Sequence, residues 1–301
     1  MKLEEVGFDI EDIDKSLNEI TNQELKRLLN NYKANIEQIL GSLAVPVFLM
    51  MHGLKSIRYF QYWLQGAIAT KNVGNEKTEK GKAEIEEYIQ SKFNEEKDIH
   101  WDDAKKEIIK LRAQTPFLEE AFHNNALNTL VNTWTIFEAT IKDLWIYSLN
   151  SHPKTFLFNV LKEDTQDVEG ISGKNISIGL LAKYNFDISE NLGEILVGKF
   201  DFTTVAGIRK SYKALYGLKE QELKLFDNKD LEQLEITRHL IVHNAGTIDS
   251  NYLRRTKRKG EKMGKRVKLT TRQLSNYCNS SVETSIGLFK MVDKKITSAY
   301  L

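Results

Sequence analysis

Residues 231–249 read LEQLEITRHLIVHNAGTID, and this stretch decides how the fold is interpreted. Its apolar residues recur near helical spacing: Leu231, Leu234, Leu240 and Ile241. The run closes with Asn-Ala-Gly at 244–246, and a glycine just after a helix is a common C-terminal stop. The stretch therefore predicts the last turns of an amphipathic α-helix.

Three basic side chains lie close together in this predicted helix. Four residues separate Arg238 from His243, while His239 follows the arginine directly and Asn244 follows the second histidine. This pattern resembles the signature of the HEPN superfamily, an arginine followed after four to six residues by a histidine, with a polar residue often directly after the arginine. The resemblance covers about residues 116–301. It implies an all-α helical bundle of HEPN type over that range, and the helical pattern of the preceding residues predicts an additional N-terminal helical region.

The resemblance also implies a function. Many HEPN proteins are metal-independent endoribonucleases that act as dimers in toxin or antiviral defence systems and leave 2′,3′-cyclic phosphate and 5′-hydroxyl ends. By this resemblance, Arg238 and His243 match the two signature positions. His239 matches the polar position after the arginine, and Asn244 directly follows the signature histidine. Some toxin members carry a tyrosine, modified by a partner enzyme, where this chain has Ala245. Other members are binding domains without catalytic activity. The alternative is therefore a non-catalytic module that binds RNA, a nucleotide or a regulatory protein partner.

The chemistry of RNA cleavage explains why these residue types matter. Attack by the 2′-hydroxyl needs a proton-transfer group with a pKa near neutrality, and positive charge beside the phosphorane. Histidine supplies the first and arginine the second. On a regular helix Arg238 and His243 point about 140° apart. A groove between two copies would bring them together, so the sequence predicts a homodimer that acts on RNA.

A metal site is the competing interpretation of the histidines. Glu235, His239 and His243 are spaced four residues apart, so one helix face carries three possible zinc ligands. The remaining histidines stand in no recognisable ligand spacing: His52, His100, His123 and His152. We therefore predict no metal and no cofactor, and a hydrogen-bonded histidine pair at a helix end also stays open.

A strongly basic segment follows the motif. Residues 251–270 contain one acidic residue, Glu261, among many cations. The residues that we predict to contact RNA phosphates are Arg254, Arg255, Lys257, Arg258, Lys259, Lys265 and Arg266. A solvated loop without a partner is the alternative, since charge runs usually are solvated.

Residues 117–150 give the strongest helical pattern, a continuous apolar stripe that includes Trp134, Phe137 and Trp145. Glu138 lies at the edge of that stripe. A carboxylate there needs a partner or access to water. One interpretation is that Glu138 pairs with Arg238 and orients the guanidinium, and the other is that it reaches water.

Composition limits the other possibilities. The chain has 301 residues, 41% of them hydrophobic and 28% charged, with a net charge of +1. That is an ordinary globular mixture, and its single cysteine excludes an intramolecular disulfide. The acidic N-terminus does not look like a secretory signal, so a cytoplasmic protein that does not enter membranes is expected.

The N-terminal third lies outside the resemblance. We predict a helical region of unknown function over residues 1–115 and a HEPN-like domain over 116–301, with the junction at Pro116. Residues 39–51 are apolar but shorter than the ~20 residues that span a bilayer, so they predict a buried helix kinked at Pro46. The aromatic run at 59–63 predicts core packing rather than base stacking.

Overall fold

The protein is all-α in a computed structural model that describes residues 10–72, 78–163, 178–258 and 260–299. Across these ranges the β structure is limited to one isolated antiparallel bridge, Thr247 to Arg266. Single turns of 3-10 helix occur at Val197–Lys199 and Lys224–Phe226. The α-helices are α1 (Ile10–Glu19), α2 (Gln23–Ala69), α3 (Glu79–Glu95), α4 (Lys97–Gln114), α5 (Pro116–Ser151), α6 (Pro153–Glu163), α7 (Ile178–Lys183), α8 (Leu192–Leu196), α9 (Val205–Tyr216), α10 (Glu220–Leu223), α11 (Lys229–Asn244), α12 (Ser250–Thr256) and α13 (Thr271–Ala299).

The chain divides into two compact units at places that differ from the sequence-based boundary. One unit combines Met1–Leu40 with Ala126–Leu301, and the other is Gly41–Asn125. The first boundary falls inside α2 and the second falls inside α5. Pro116 begins α5, a position that proline favours because its missing N–H is unpaired there in any helix. The proline that suggested a domain junction therefore marks a helix start.

The first unit is built around α5. The apolar stripe predicted there is confirmed, since Trp134, Phe137 and Trp145 are fully buried. Trp145 Nε1 donates a hydrogen bond to the backbone oxygen of Ser211 at 3.1 Å. The α9 hydroxyl of Tyr212 donates to a backbone oxygen of α5 at 2.8 Å. These two bonds tie α9 to α5 from inside the core.

The start of the chain joins this unit through a buried carboxylate. Asp293 of α13 accepts hydrogen bonds from the backbone N–H groups of Thr21 at 3.0 Å and Asn22 at 2.9 Å, and also from the Thr21 hydroxyl. The Asn22 side chain in turn accepts from the N–H groups of Glu24 and Leu25 and so caps α2. The turn before α2 is thereby fixed to the last helix of the chain.

Local signals set the ends of the helices around the site. Thr204 caps α9 by accepting from the N–H of Gly207 at 3.0 Å, and α9 stops at Gly217, which is left-handed with φ 60°. Threonine at a helix start and glycine just after a helix end are common signals for these limits. Asn228 caps α11 by accepting from two backbone N–H groups. Each cap thus pairs one or two of the backbone N–H groups that have no partner within the helix.

The second unit has a small core and a large exposed apolar surface. Tyr62 and Ala67 of α2 pack on Ile85 and Ile89 of α3. Phe60, however, is 61% exposed. The prediction that the aromatic run packs in a core holds for Tyr62 and is wrong for Phe60. The apolar residues of this helix are spread around more of its circumference than the packed face covers.

The segment around Pro46 is also more exposed than predicted. The two parts of α2, Gln23–Val45 and Phe48–Ala69, are bent by 47°, as expected where proline removes a helical hydrogen bond. Leu49 is 69% exposed, so the prediction of a buried helix is wrong there. Within the described ranges no single helix has the length and apolarity to cross a bilayer, although the two bent parts together meet that test.

Candidate functional site

The motif helix α11 has one buried and one exposed face. It packs against α9, α12 and α13. Its buried side chains are those of Leu231, Leu234, Glu235, Ile236, Thr237 and Leu240. His239 and His243 are exposed, whereas Arg238 lies between the two faces. The histidines are therefore accessible from solvent, and Arg238 sits at the edge of the protein interior.

Arg238 faces α5, where Glu138 lies. Its Nη2 is 4.0 Å from Glu138 Oε2, and the two side chains are 23% and 25% exposed. The same carboxylate oxygen accepts a hydrogen bond from Trp134 Nε1 at 3.0 Å. Of the two interpretations that the sequence left open for Glu138, the contact with Arg238 is thus present. At this distance the charges attract without a direct hydrogen bond, which leaves guanidinium N–H groups for a ligand.

His239 and His243 lie against each other. Their ring centroids are 4.3 Å apart with an interplanar angle of 40°, as expected for residues one helical turn apart. The pKa of His239 is lowered from its ordinary value, first by partial burial. The neighbouring His243, Arg255 and Arg238 lower this pKa further, whereas Glu235 raises it. His239 is therefore biased towards the neutral form, which can accept a proton near pH 7.

The motif arginine and histidine do not meet within one chain. Arg238 turns towards Glu138 of α5, while His243 stacks on His239 at the exposed face. This divergence agrees with the roughly 140° that separates positions i and i+5 on a helix. The two side chains therefore leave α11 in different directions.

Asn244 shapes the end of α11. Its Nδ2 donates to the backbone oxygen of Thr247 at 2.7 Å. The N–H of Gly246 bonds back to the carbonyl of Leu240 at 3.2 Å, and Ala245 adopts a left-handed φ of 48°. The chain thus leaves the helix by a tight turn of the kind usually built on glycine. The Asn244 amide group that the family resemblance places beside the histidine serves this turn.

The basic segment is anchored at both ends. Ile248 N–H donates to the carbonyl of Lys265, Gly264 N–H to that of Ile248, and Val267 N–H to that of Gly246, each at 2.8 Å. Residues 246–248 and 264–267 therefore run side by side. They close a loop that contains α12 and begins directly after the motif.

The predicted RNA-binding cations differ in their availability. Lys257, Lys265 and Arg266 are exposed, as is Arg254, whose Nη2 donates to Asn251 at 2.9 Å. Arg258 is only 15% exposed, bonds to Glu261 at 3.2 Å and lies 5.7 Å from the Tyr277 ring centre. Its guanidinium stabilises the loop. Lys259 lies outside the described residues.

Glu235, which the competing metal interpretation treated as a possible ligand, holds three helices together. Its carboxylate is buried, accepts from the N–H of Val205 at 2.8 Å, and accepts from Arg255 Nη2 at 2.7 Å. These bonds link α11 to the start of α9 and to α12. Its position on an otherwise buried helix face was the available signal, because a buried carboxylate needs partners.

Removing these bonds is expected to destabilise the protein. In Glu235→Ala the buried N–H of Val205 loses its acceptor and Arg255 loses its counter-charge, so the free energy of unfolding should fall by about 1–3 kcal/mol. Urea unfolding followed by circular dichroism measures this change. Glu232→Ala, at an exposed position of the same helix, is the control. Equal midpoints for the two variants would contradict the role given to Glu235.

The contacts of Glu235 argue against a zinc site on α11. Glu235 is committed to Val205 and Arg255, so it does not converge with the two histidines on a cation. Across the described ranges no group of three or more histidine, cysteine, aspartate or glutamate side chains is placed to hold a metal ion.

Comparisons with protein-family models, curated proteins and solved structures return no match to this chain. The function is therefore argued from the chemistry of α11 and its neighbours.

Proposed function

We propose that this protein is a metal-independent endoribonuclease of HEPN type that cuts RNA as a homodimer. The observation that carries the proposal is the exposed pair of His239 and His243 at the end of α11, beside Arg238 and a basic loop. This set combines proton-transfer groups with fixed positive charge, which are the two requirements of transesterification by the 2′-hydroxyl. A role in toxin or antiviral defence is what the family resemblance implies.

The proposed reaction needs no group beyond these side chains. A neutral imidazole accepts the proton of the 2′-hydroxyl as the O2′–phosphorus bond forms. The guanidinium of Arg238 stabilises the negative charge on the phosphorane oxygens. An imidazolium gives its proton to the 5′-oxygen as the phosphorus–O5′ bond breaks. The products are a 2′,3′-cyclic phosphate and a 5′-hydroxyl, with His239 and His243 of one chain in the two proton-transfer roles and Arg238 supplied by its partner.

A binding module without catalysis is the second candidate. The observation that favours it is the contact between Glu138 and Arg238, because a carboxylate 4.0 Å away offsets part of the charge that would stabilise a phosphorane. In that case the basic loop and the histidines bind an RNA backbone that stays intact.

The deciding experiment is an RNA-cleavage assay in excess chelator. The wild-type protein is compared with Arg238→Ala/His243→Ala, and the ends of the products are identified. An Arg272→Ala/His52→Ala protein, altered at two exposed positions, controls for loss of the same residue types elsewhere. Cleavage that leaves cyclic phosphate ends and that only the motif variant abolishes is the expected result.

Two outcomes would contradict the nuclease proposal. Cleavage that survives in the motif variant would place the activity elsewhere or assign it to a contaminant. RNA binding by the wild-type protein without new RNA ends, across tRNA, rRNA and mRNA, would favour the binding module.

A further inference from the structure

The two exposed histidines of α11 follow a buried carboxylate along the helix. His239 and His243 come one and two turns after Glu235, which is buried. Arg255 reaches this side of α11 from α12, because its guanidinium bonds to Glu235 at 2.7 Å. The arginine therefore lies beside the face that carries the two histidines.

Arg255 is held in a defined position and keeps donors for a ligand. Its anchor is rigid, because the Glu235 side chain is 7% exposed and its other oxygen is bound to the N–H of Val205. Arg255 itself is 37% exposed. A guanidinium carries five N–H groups, and the bond to Glu235 uses one of them. The remaining exposed donors suit a planar or tetrahedral oxyanion.

The charge around the histidines favours an anion. Arg238 and Arg255 both act on His239 and disfavour its protonation, as does His243. An anion between these groups would relieve that repulsion and stabilise the protonated imidazole. One chain alone can form such a site. The proposed cleavage site differs, because it combines Arg238 of one chain with His243 of another.

We propose that His239, His243 and Arg255 of a single chain form a binding site for one phosphodiester group, with Glu235 as the residue that positions Arg255. The assignment of the phosphodiester to RNA rests on the proposed function. In a dimer this site would hold a phosphate of the bound strand on each chain. In this proposal Arg255 binds the substrate within a defined site. Its role therefore differs from that of the other exposed cations of the loop.

The test uses a ligand that cannot be cleaved. The deoxy-dinucleotide dTpdT contains one phosphodiester and no 2′-hydroxyl, so binding is measured apart from chemistry. The imidazole signals of His239 and His243 are followed by NMR as dTpdT is added to the full-length protein. Saturable shifts of both signals are expected, and Arg255→Ala should weaken the affinity at least roughly tenfold.

Control variants separate this site from general electrostatics. Arg272→Ala removes the same charge from an exposed position of α13, and its affinity should stay within about twofold of the wild type. Arg255→Lys keeps a charge for Glu235 but loses the fork of donors, so it should bind with intermediate affinity. Arg255→Ala should also raise the pKa of His239, because a nearby positive charge is removed.

The outcomes distinguish this site from the nuclease. Equal losses in Arg272→Ala and Arg255→Ala, or no shift of the two histidine signals, would overturn the proposal. A protein that binds dTpdT through Arg255 but cuts no RNA would keep the phosphodiester site and remove the nuclease.

Discussion

Neither Arg238→Ala nor His243→Ala homodimers are expected to cut RNA at more than about one hundredth of the wild-type rate, because each lacks one required group. A heterodimer of one Arg238→Ala chain and one His243→Ala chain should recover roughly half of the wild-type activity. In a two-fold symmetric interface each Arg238 faces the partner's His243, so this heterodimer keeps one complete site. The divergence of the two side chains on α11 makes this arrangement necessary for the proposed reaction.

The measurement uses chains with two different affinity tags, purified so that only mixed dimers remain. A mixed dimer of two wild-type chains with the same tags sets the reference rate. A variant heterodimer as inactive as its parents would show that the residues act within one chain. It would also remove the geometric reason for proposing a dimer.

Asp293→Ala is expected to lower the free energy of unfolding by about 2–4 kcal/mol. The buried carboxylate accepts from two backbone N–H groups and the Thr21 hydroxyl in the turn that leads into α2. Alanine leaves these donors without their acceptor and frees the turn from α13. The shift of the urea midpoint, followed by circular dichroism, measures the effect.

A neighbouring substitution shows whether the loss is specific. Lys294 is exposed on the same helix, and Lys294→Ala should change stability by less than about 0.5 kcal/mol. Asp293→Asn should fall between the two, because one acceptor oxygen remains while the charge is lost. An Asp293→Ala protein as stable as Lys294→Ala would mean that water replaces the carboxylate at little cost.

The sequence predicts the features that depend on local chemistry. The apolar stripe of α5 and the end of α11 at Asn244 both follow from residues within a few positions of one another. The contact of Glu138 with Arg238, one of the two alternatives that the sequence left open, is present in the structure. That alternative could be proposed from the sequence because a carboxylate at the edge of an apolar stripe has few alternatives to an arginine or water.

The features that the sequence did not predict depend on contacts between distant segments. The bond between Asn22 and Asp293 spans 271 positions, and no local pattern marks either residue. Glu235 fits a metal-ligand spacing until its neighbours from α9 and α12 are known. The exposed apolar side of α2 shows the converse, because hydrophobicity alone does not say which side a neighbouring helix covers.

The paired segments at 246–248 and 264–267 have a thermodynamic consequence for RNA binding. Ordering a free chain costs about 1–2 kcal/mol per residue in backbone entropy. Here the ends of the basic loop are already fixed by three backbone hydrogen bonds. A ligand that meets such a preorganised loop orders few further residues, so more of the contact energy appears as affinity. Calorimetry should therefore find a small heat-capacity change, without the large negative value that accompanies folding on binding.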